Sequence, residues 1–529
     1  MINLRKFVIF AKVLLHRGGE AYIVGGDGMK WIGRFLLAAL VGIVLFWAFA
    51  SDFIERKVEG IAGNEVIAEP WPGCGQPGEP ADACADLAGE LVIDLHADSF
   101  MWNRDLNRRV AHGHTDFPRF ADGRVDIQII GAPTKTPYYT EYESDLKETT
   151  ICIDRDSIDL NALVALATEF GRFDLVFSPK GRALRQAERF HDWIGASVAP
   201  KVHPIFDRES LGLDHEGRLT RPEGEPALML SIEGMHWIDA ESDVAAEIET
   251  LERAGYRMLA LTHRFTNDLA FGSEDCALAR DGVADGGLKP AGRAALAEMF
   301  ERGLIVDLAH ASEQTIVDVT DAILDWQTAN PEKPVGLFMS HGGVARTCPG
   351  PRNLTDKAIR HIVRAGGVIG VGFWTEAVCF AWGQNLPRPL RDRAMLDSIA
   401  AGYFAIMHAV ESADPAFWGE AGAPDPLNHL ALGSDFDGAV VTPGDTSAVP
   451  ARLAAYLANI TCDQALLDRL RMTRPDRQTG LLMPGDDDTL AAKCEDYAGR
   501  IAAAPYRILG GNAARVLAQS LRAEYRQPE

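Results

Sequence analysis

Eight short runs of apolar, largely β-branched residues recur along the chain, and six of them finish on a histidine or a carboxylate. The runs span residues 91–98 (LVIDLHAD), 125–133 (VDIQIIGAP), 228–234 (LMLSIEG), 257–263 (RMLALTH), 304–310 (LIVDLAH), 336–341 (GLFMSH), 368–373 (VIGVGF) and 429–436 (HLALGSDF). Continuous apolar runs of this length suit strands buried on both faces, as in a parallel sheet. Amphipathic helical patterns stand between several of them: 289–303, 312–326 and 354–367, the last with Leu354-Thr355-Asp356 as a capping region. Eight strands alternating with helices is the count of a closed barrel, so the expected fold is α/β, a (β/α)8 TIM-type barrel. Insertions fill 134–227, with helical pieces, and 376–428, with a helix near 395–411. A closing helix is expected in the tail, within 506–524.

Barrel enzymes build their sites at the C-terminal ends of the strands. Here those ends carry His96 and Asp98, Glu233, His263, His310, His341, and Asp435 followed by Asp437. Charged groups at the end of a buried strand need a partner, and a shared metal centre supplies one for all of them. His96 and Asp98 are two apart and so share a side of their strand. Imidazole and carboxylate suit zinc or a similar borderline ion. Five ligands, His96, Asp98, Glu233, His310 and His341, exceed what one tetrahedral ion takes, so two Zn2+ per chain are expected, with Glu233 as the natural bridge. Asp437 shares the face of Asp435 and could exchange roles with it. His112, His114, His236, His361 and His408 read as ordinary surface or core histidines.

The rest of the chain bounds the function. Its 529 residues carry a net charge of −23, which repels a phosphate backbone and excludes a nucleic-acid partner. Residues 35–50 (FLLAALVGIVLFWAFA) hold no charge, with Lys30 and Arg34 before them and Asp52 after. That pattern predicts a cytoplasmic N-terminus and an exported body, by a cleaved signal (Ala48-Phe49-Ala50 has the form of a cleavage site) or by an anchor through residues 31–54. The expected organisation is an N-terminal signal or anchor over 1–54, a Pro/Gly-rich linker over 55–90 and a barrel domain over 91–529. Eight cysteines fit an oxidising compartment, and Cys74 and Cys84 suit a short disulfide loop in the linker. With no CxxC pair, a structural zinc knuckle is not supported.

The stretches DLHAD (94–98), HTDFPRFADGRVDIQ (114–128), SIEG (231–234), LTHRFTNDLA (261–270), VDLAHAS (306–312), MSHGG (339–343), PRNLTD (351–356), LGSDFDG (432–438) and LGGNAARVL (509–517) resemble, in order, those of the membrane (renal) dipeptidase family. The resemblance implies a barrel of the metal-dependent hydrolase kind and hydrolysis of small dipeptides by a metal-activated bridging hydroxide. It implies one zinc on His96, Asp98 and Glu233, another on Glu233, His310 and His341, and substrate-side roles for His263, Arg352 and Asp435. In that scheme His263 stabilises the oxyanion, Asp435 moves the proton and Arg352 grips the substrate carboxylate. The sequence departs from the family at DLHADSF, where many members have His-Asn-Asp followed by Leu-Pro; Ala97, Ser99 and Phe100 therefore bear on substrate preference. Two alternatives stay open: another binuclear barrel hydrolase (amidohydrolase, lactonase or phosphotriesterase-like), or a tethered non-catalytic binding module. The former usually opens on His-x-His and often bridges with a strand-end lysine, and neither Lys289 nor Lys333 ends a strand. A homodimer is also left open.

Overall fold

A computed structural model describes residues 84–143, 149–169, 172–279, 286–380, 386–471 and 487–523, with Gly42, Lys57, Trp71 and Cys74. The chain divides into two compact units, Met1–Val58 and Glu59–Glu529. The expected membrane segment, residues 31–54, lies outside the described residues except for Gly42. Among the described residues no helix is long and apolar enough to cross a membrane.

The second unit is built on eight parallel strands: β1 (Ile93–Ala97), β2 (Ile127–Ile130), β3 (Ala227–Glu233), β4 (Tyr256–Ala260), β5 (Ile305–Asp307), β6 (Leu337–Gly342), β7 (Val368–Val371) and β8 (Leu430–Leu432). Each pairs with the next, and β8 pairs back to β1 through Leu432 and Asp94, which closes the barrel. Every one of the eight apolar runs is a strand. β5 and β8 are only three residues long, so His310 and Asp435 lie in the loops beyond them.

Alternation along each strand sorts its residues into two layers. Leu228, Leu230 and Ile232 of β3 face the surrounding helices, as do Leu430 and Leu432 of β8. Ala227, Met229 and Ala431 belong to a separate cluster to which all eight strands contribute, the barrel interior. Ala513, Val516 and Leu517 of the closing helix Asn512–Ser520 join that interior cluster and plug one mouth. The outer helices have local reasons to form: Ser312 and Thr355 cap Glu313–Ala329 and Asp356–Arg364 by accepting backbone N–H groups, and Gly303, at φ +65°, ends Pro290–Arg302 in the left-handed conformation glycine permits.

The first insertion holds more than helical pieces. Tyr139–Glu143 and Thr149–Ile153 form an antiparallel hairpin, and His203–Pro204 adds a short ninth strand beside β3. Four disulfides join Cys74 to Cys84, Cys152 to Cys276, Cys348 to Cys379 and Cys462 to Cys494, and no cysteine is free.

Candidate active site

Period-two alternation places the first site residue without help. Ala227 and Met229 face the interior, so Ser231 and Glu233 follow on the same face, with Glu233 at the last step of β3. The two histidine-bearing strands need a correction to do likewise. In β1 the register runs Asp94↔Gln128 and then Ala97↔Ile130, three steps against two. In β6 it runs Met339↔Ile369 and then Gly342↔Val371, again three against two. Each strand carries one extra residue, a bulge, just ahead of or at its histidine. Beyond the first bulge Ala97 packs in the helix-facing layer and His96 turns inward. The rings of His96 and His341 then stack, with centroids 3.8 Å apart.

Two further residues arrive on strained backbone. His310 has φ +63° and Asp435 φ +60°, a region that L-residues enter only where their surroundings hold them. Two matched clamps brace this end of the barrel. Asp94 accepts the N–H and hydroxyl of Ser434 at 2.9 and 2.6 Å, and Asp307 accepts those of Ser340 at 2.9 and 2.6 Å. Each serine directly precedes a site residue, Asp435 or His341.

Glu233 Oε1 lies at the centre. It is 3.3 Å from His96 Nε2 and 3.4 Å from both His310 Nε2 and His341 Nε2, and the last two are 3.2 Å apart. His96 Nε2 is also 3.4 Å from Asp98 Oδ1 and 3.9 Å from Asp435 Oδ1. All six side chains are buried. His96 Nδ1 and Nε2, Asp98 Oδ1 and Glu233 Oε1 are nevertheless without a hydrogen-bond partner. Buried polar atoms are ordinarily paired, and a cluster of unpaired ones aimed at each other is the donor set of a cation. Zinc bonds of about 2.0–2.1 Å at tetrahedral angles put ligand atoms about 3.3–3.4 Å apart, the spacing seen here. Three overlapping groups have the proximity a metal ion needs: His96 with Asp98 and Glu233, Glu233 with His263 and His310, and His96 with His341 and Asp435. Gly131, just past β2, keeps this space open, since a Cβ there would fall 2.4 Å from His96 Cε1 and 2.7 Å from Asp98 Oδ1.

The electrostatics agree with an anionic pocket. Burial opposes a charge on His96, but Glu233, Asp98 and Asp435 overcome it and lift its pKa to about 10. Burial raises Glu233 well above the usual carboxylate range and Asp435 to about 7, the latter opposed by Arg352 and His96. In His310 and His341 burial and neighbouring positive charges favour the neutral ring, the form that offers a lone pair.

His263 stands beside the group, its Nε2 3.5 Å from Glu233 Oε2 and its Nδ1 2.9 Å from the Lys135 carbonyl. Its Nδ1–H donates to that carbonyl, so the neutral ring presents a lone pair at Nε2. Arg352 stacks on Trp374 at 4.6 Å, with Nε and Nη2 buried and lacking hydrogen-bond partners. The nearby Asp356 is taken by Arg346 at 2.5–2.6 Å and by Arg360 at 3.6 Å. The Cys348–Cys379 disulfide joins the loop of Arg352 to that of Trp374.

Asp437 does not share the role of Asp435. It is turned away and bound by Arg104, Thr115 and the His114 N–H, the last at 2.6 Å. His236, also outside the predicted site, accepts the His263 N–H at 3.2 Å. Sequence reasoning missed Trp374, since the seventh run ends without a polar residue. It also missed Glu274, which lies in a loop and meets His310. Lys289 bonds the Asn267 carbonyl and Lys333 pairs with Glu301, so neither lysine reaches the group around Glu233.

Residues 85–471 match the family model of membrane dipeptidase, peptidase family M19. An uncharacterized dipeptidase of Schizosaccharomyces pombe is 29% identical over 218 residues, 41% of this chain and 43% of that protein. Dipeptidase aclJ of Aspergillus oryzae is 27% identical over 364 residues, 66% of this chain and 67% of that protein. The chain thus spans about half the length of the curated relatives it matches, between 43% and 67%. The solved structure of dipeptidase AC, a metallopeptidase of family M19, has the same fold, with a TM-score of 0.50 at 18% identity over 82% of this chain and 99% of that one.

Proposed function

Because the chain belongs to the membrane dipeptidase family, a family of metal-dependent peptidases, we propose that it hydrolyses small dipeptides at a two-zinc centre. His96, Asp98 and Glu233 would hold one ion, and Glu233, His310 and His341 the other. Bound there, the ions would polarise the scissile carbonyl and supply a hydroxide near neutral pH. The protein's own residues do the rest. Arg352 presents two buried N–H groups as a fork for the substrate's free carboxylate, a planar match that lysine lacks. Asp435, whose pKa is raised to about 7, is poised to take a proton and return it to the leaving amine. His263 faces the reacting group through Nε2. With Nδ1–H engaged by Lys135, it donates to an oxyanion only as imidazolium, a form that burial opposes and developing negative charge favours.

The observation that carries this reading is the unpaired Arg352 guanidinium beside a set of orphaned ligand atoms. A positive fork and a cation site in one barrel mouth suit a small substrate with a carboxylate and a polarisable carbonyl. The proposal includes an exported body, supported by four disulfides and by the charge pattern around residues 35–50. It keeps the division into an export or anchor segment (1–54), a linker (55–90) and a catalytic domain (91–529).

Purified protein assayed for metal content and for cleavage of a dipeptide beside the same dipeptide amide tests the reading. Two zinc ions per chain and fast cleavage of the free acid alone are expected. One tight ion unchanged by added zinc, or equal cleavage of acid and amide, overturns it.

A further inference from the structure

Two of the three imidazoles around Glu233 Oε1 have their far nitrogen tied down. His341 Nδ1 lies 2.9 Å from Ser340 Oγ, and that hydroxyl donates to Asp307 at 2.6 Å. His310 Nδ1 lies 3.3 Å from Glu274 Oε2. The second tie is the less expected, because Glu274 sits 36 residues away in the loop that follows β4. Arg264 fixes its carboxylate, with Nη2 3.0 Å from Oε1 and Nε 3.2 Å from Oε2.

The same stretch holds the His310 backbone. Ser273 N–H donates to the His310 carbonyl at 2.9 Å, and Gly272 bridges to Ala311. A residue at φ +63° needs such bonds to stay there. At its far end the stretch is fastened twice: Ile153 N–H donates to the Glu274 carbonyl at 2.7 Å, and Cys276 is bonded to Cys152. The hairpin of the first insertion therefore backs a loop that backs a ring in the site.

We propose that Glu274 is a positioning residue for His310, held in place by the Cys152–Cys276 disulfide. Its carboxylate accepts the Nδ1–H, which leaves Nε2 bare and aims it at the shared centre. The inference rests on the reading of His310 as a metal ligand. A carboxylate behind a ligating imidazole fixes tautomer and ring orientation and raises basicity; losing such a partner costs about 10–100-fold in metal affinity.

The test is a zinc titration of the metal-free full chain against a competing chelator, with Glu274→Gln, Glu274→Ala and the Cys152→Ser/Cys276→Ser pair. Glu274→Gln should weaken one of two ions by about 10–100-fold. The melting point of the metal-free protein should hold, and turnover should recover at saturating zinc with KM unchanged. Glu274→Ala should lose more and regain part with added formate. Because disulfide and carboxylate act through one contact, the effect of Glu274→Gln should shrink in the disulfide-free background. Affinity within twofold of the parent overturns the proposal, as does affinity lost only in step with melting of the metal-free chain; full additivity removes the disulfide from it. A parent protein that binds no zinc defeats the underlying reading instead.

Discussion

At one mouth of the barrel, Ile93, Met229 and Phe338 share an apolar cluster with Ala513, Val516 and Leu517 of the closing helix. At the other, on the same strands, His96, Glu233 and His341 meet one another. Both sets are buried. The first gains free energy from burial alone, at about 25 cal/mol per Å² of apolar surface. The second loses hydration, which is offset in part by the pairing of His96 with Glu233, Asp98 and Asp435 and, on the two-zinc reading, would be offset further by bound cations. The mouths therefore divide labour: the plugged end stabilises, and the open end is held by the clamps of Asp94 and Asp307 and by disulfides in its loops. Four substitutions or conditions probe that division.

Glu233→Gln should act most strongly. An amide is a poor bridge between two cations, and activity should fall by roughly 10²–10³-fold, the scale of losing one preorganised electrostatic group. The metal-free variant should melt no lower than the parent, since burial already opposes the Glu233 charge. Activity with near-normal turnover and both ions bound would break the comparison at its centre.

Arg352→Ala should lose about 2–4 kcal/mol of transition-state binding for a free dipeptide, by analogy with desolvated charge pairs. The dipeptide amide should be cleaved slowly and about equally by both forms. Equal losses on acid and amide, with an earlier melt, would make the residue structural.

Leu517→Ala addresses the plugged end. It should cost about 2–3 kcal/mol of stability, as for other buried leucines, and leave kcat/KM of the folded enzyme unchanged. A change in kcat/KM at full folding would show that the two mouths are coupled.

The smallest effect is on pH. In the metal-free protein the folded state keeps a proton on Asp435 between the usual carboxylate pKa of 3.8 and about 7, and on His96 between 6.5 and about 10. The unfolded chain has released both, so stability should fall as pH rises through these windows. Above pH 7.5, where the buried histidines of depressed pKa are neutral in both states, the melting point of metal-free protein should drop by several degrees up to pH 9.5, and bound metal should flatten the slope. A metal-free profile that rises with pH would contradict the anionic pocket.

Most of the frame is written plainly in the sequence. Eight largely apolar runs announce strands buried on both faces, and the polar residues that end six of them stand out against that background. What the sequence hides is phase and pairing. Nothing in LVIDLHAD signals the extra residue that turns His96 inward, because Asp94, His96 and Asp98 keep an even spacing that hides the change of phase between them. The hairpin at 139–153 escapes notice because its residues are polar and its value lies in a distant contact, Cys152 with Cys276. Asp435 and Asp437 look equivalent two residues apart, yet Arg104 and Thr115, more than 300 residues away, claim one of them. Glu274 and Trp374 sit in loops, where side-chain direction depends on tertiary neighbours rather than on period.

The bulges in β1 and β6 also constrain ancestry. Single substitutions can tune a ligand, but they cannot change which side of a strand a position faces. The extra residue in β1 lets two neighbours, Leu95 and His96, both face inward, one filling the barrel interior and the next entering the site. Deleting Leu95 would restore the plain register with β2 and leave His96 inward, opposite Ile129, but would empty the layer beneath it. The bulge thus stacks a site residue directly on a packing residue, and the centre depends on strand length as well as on its side chains.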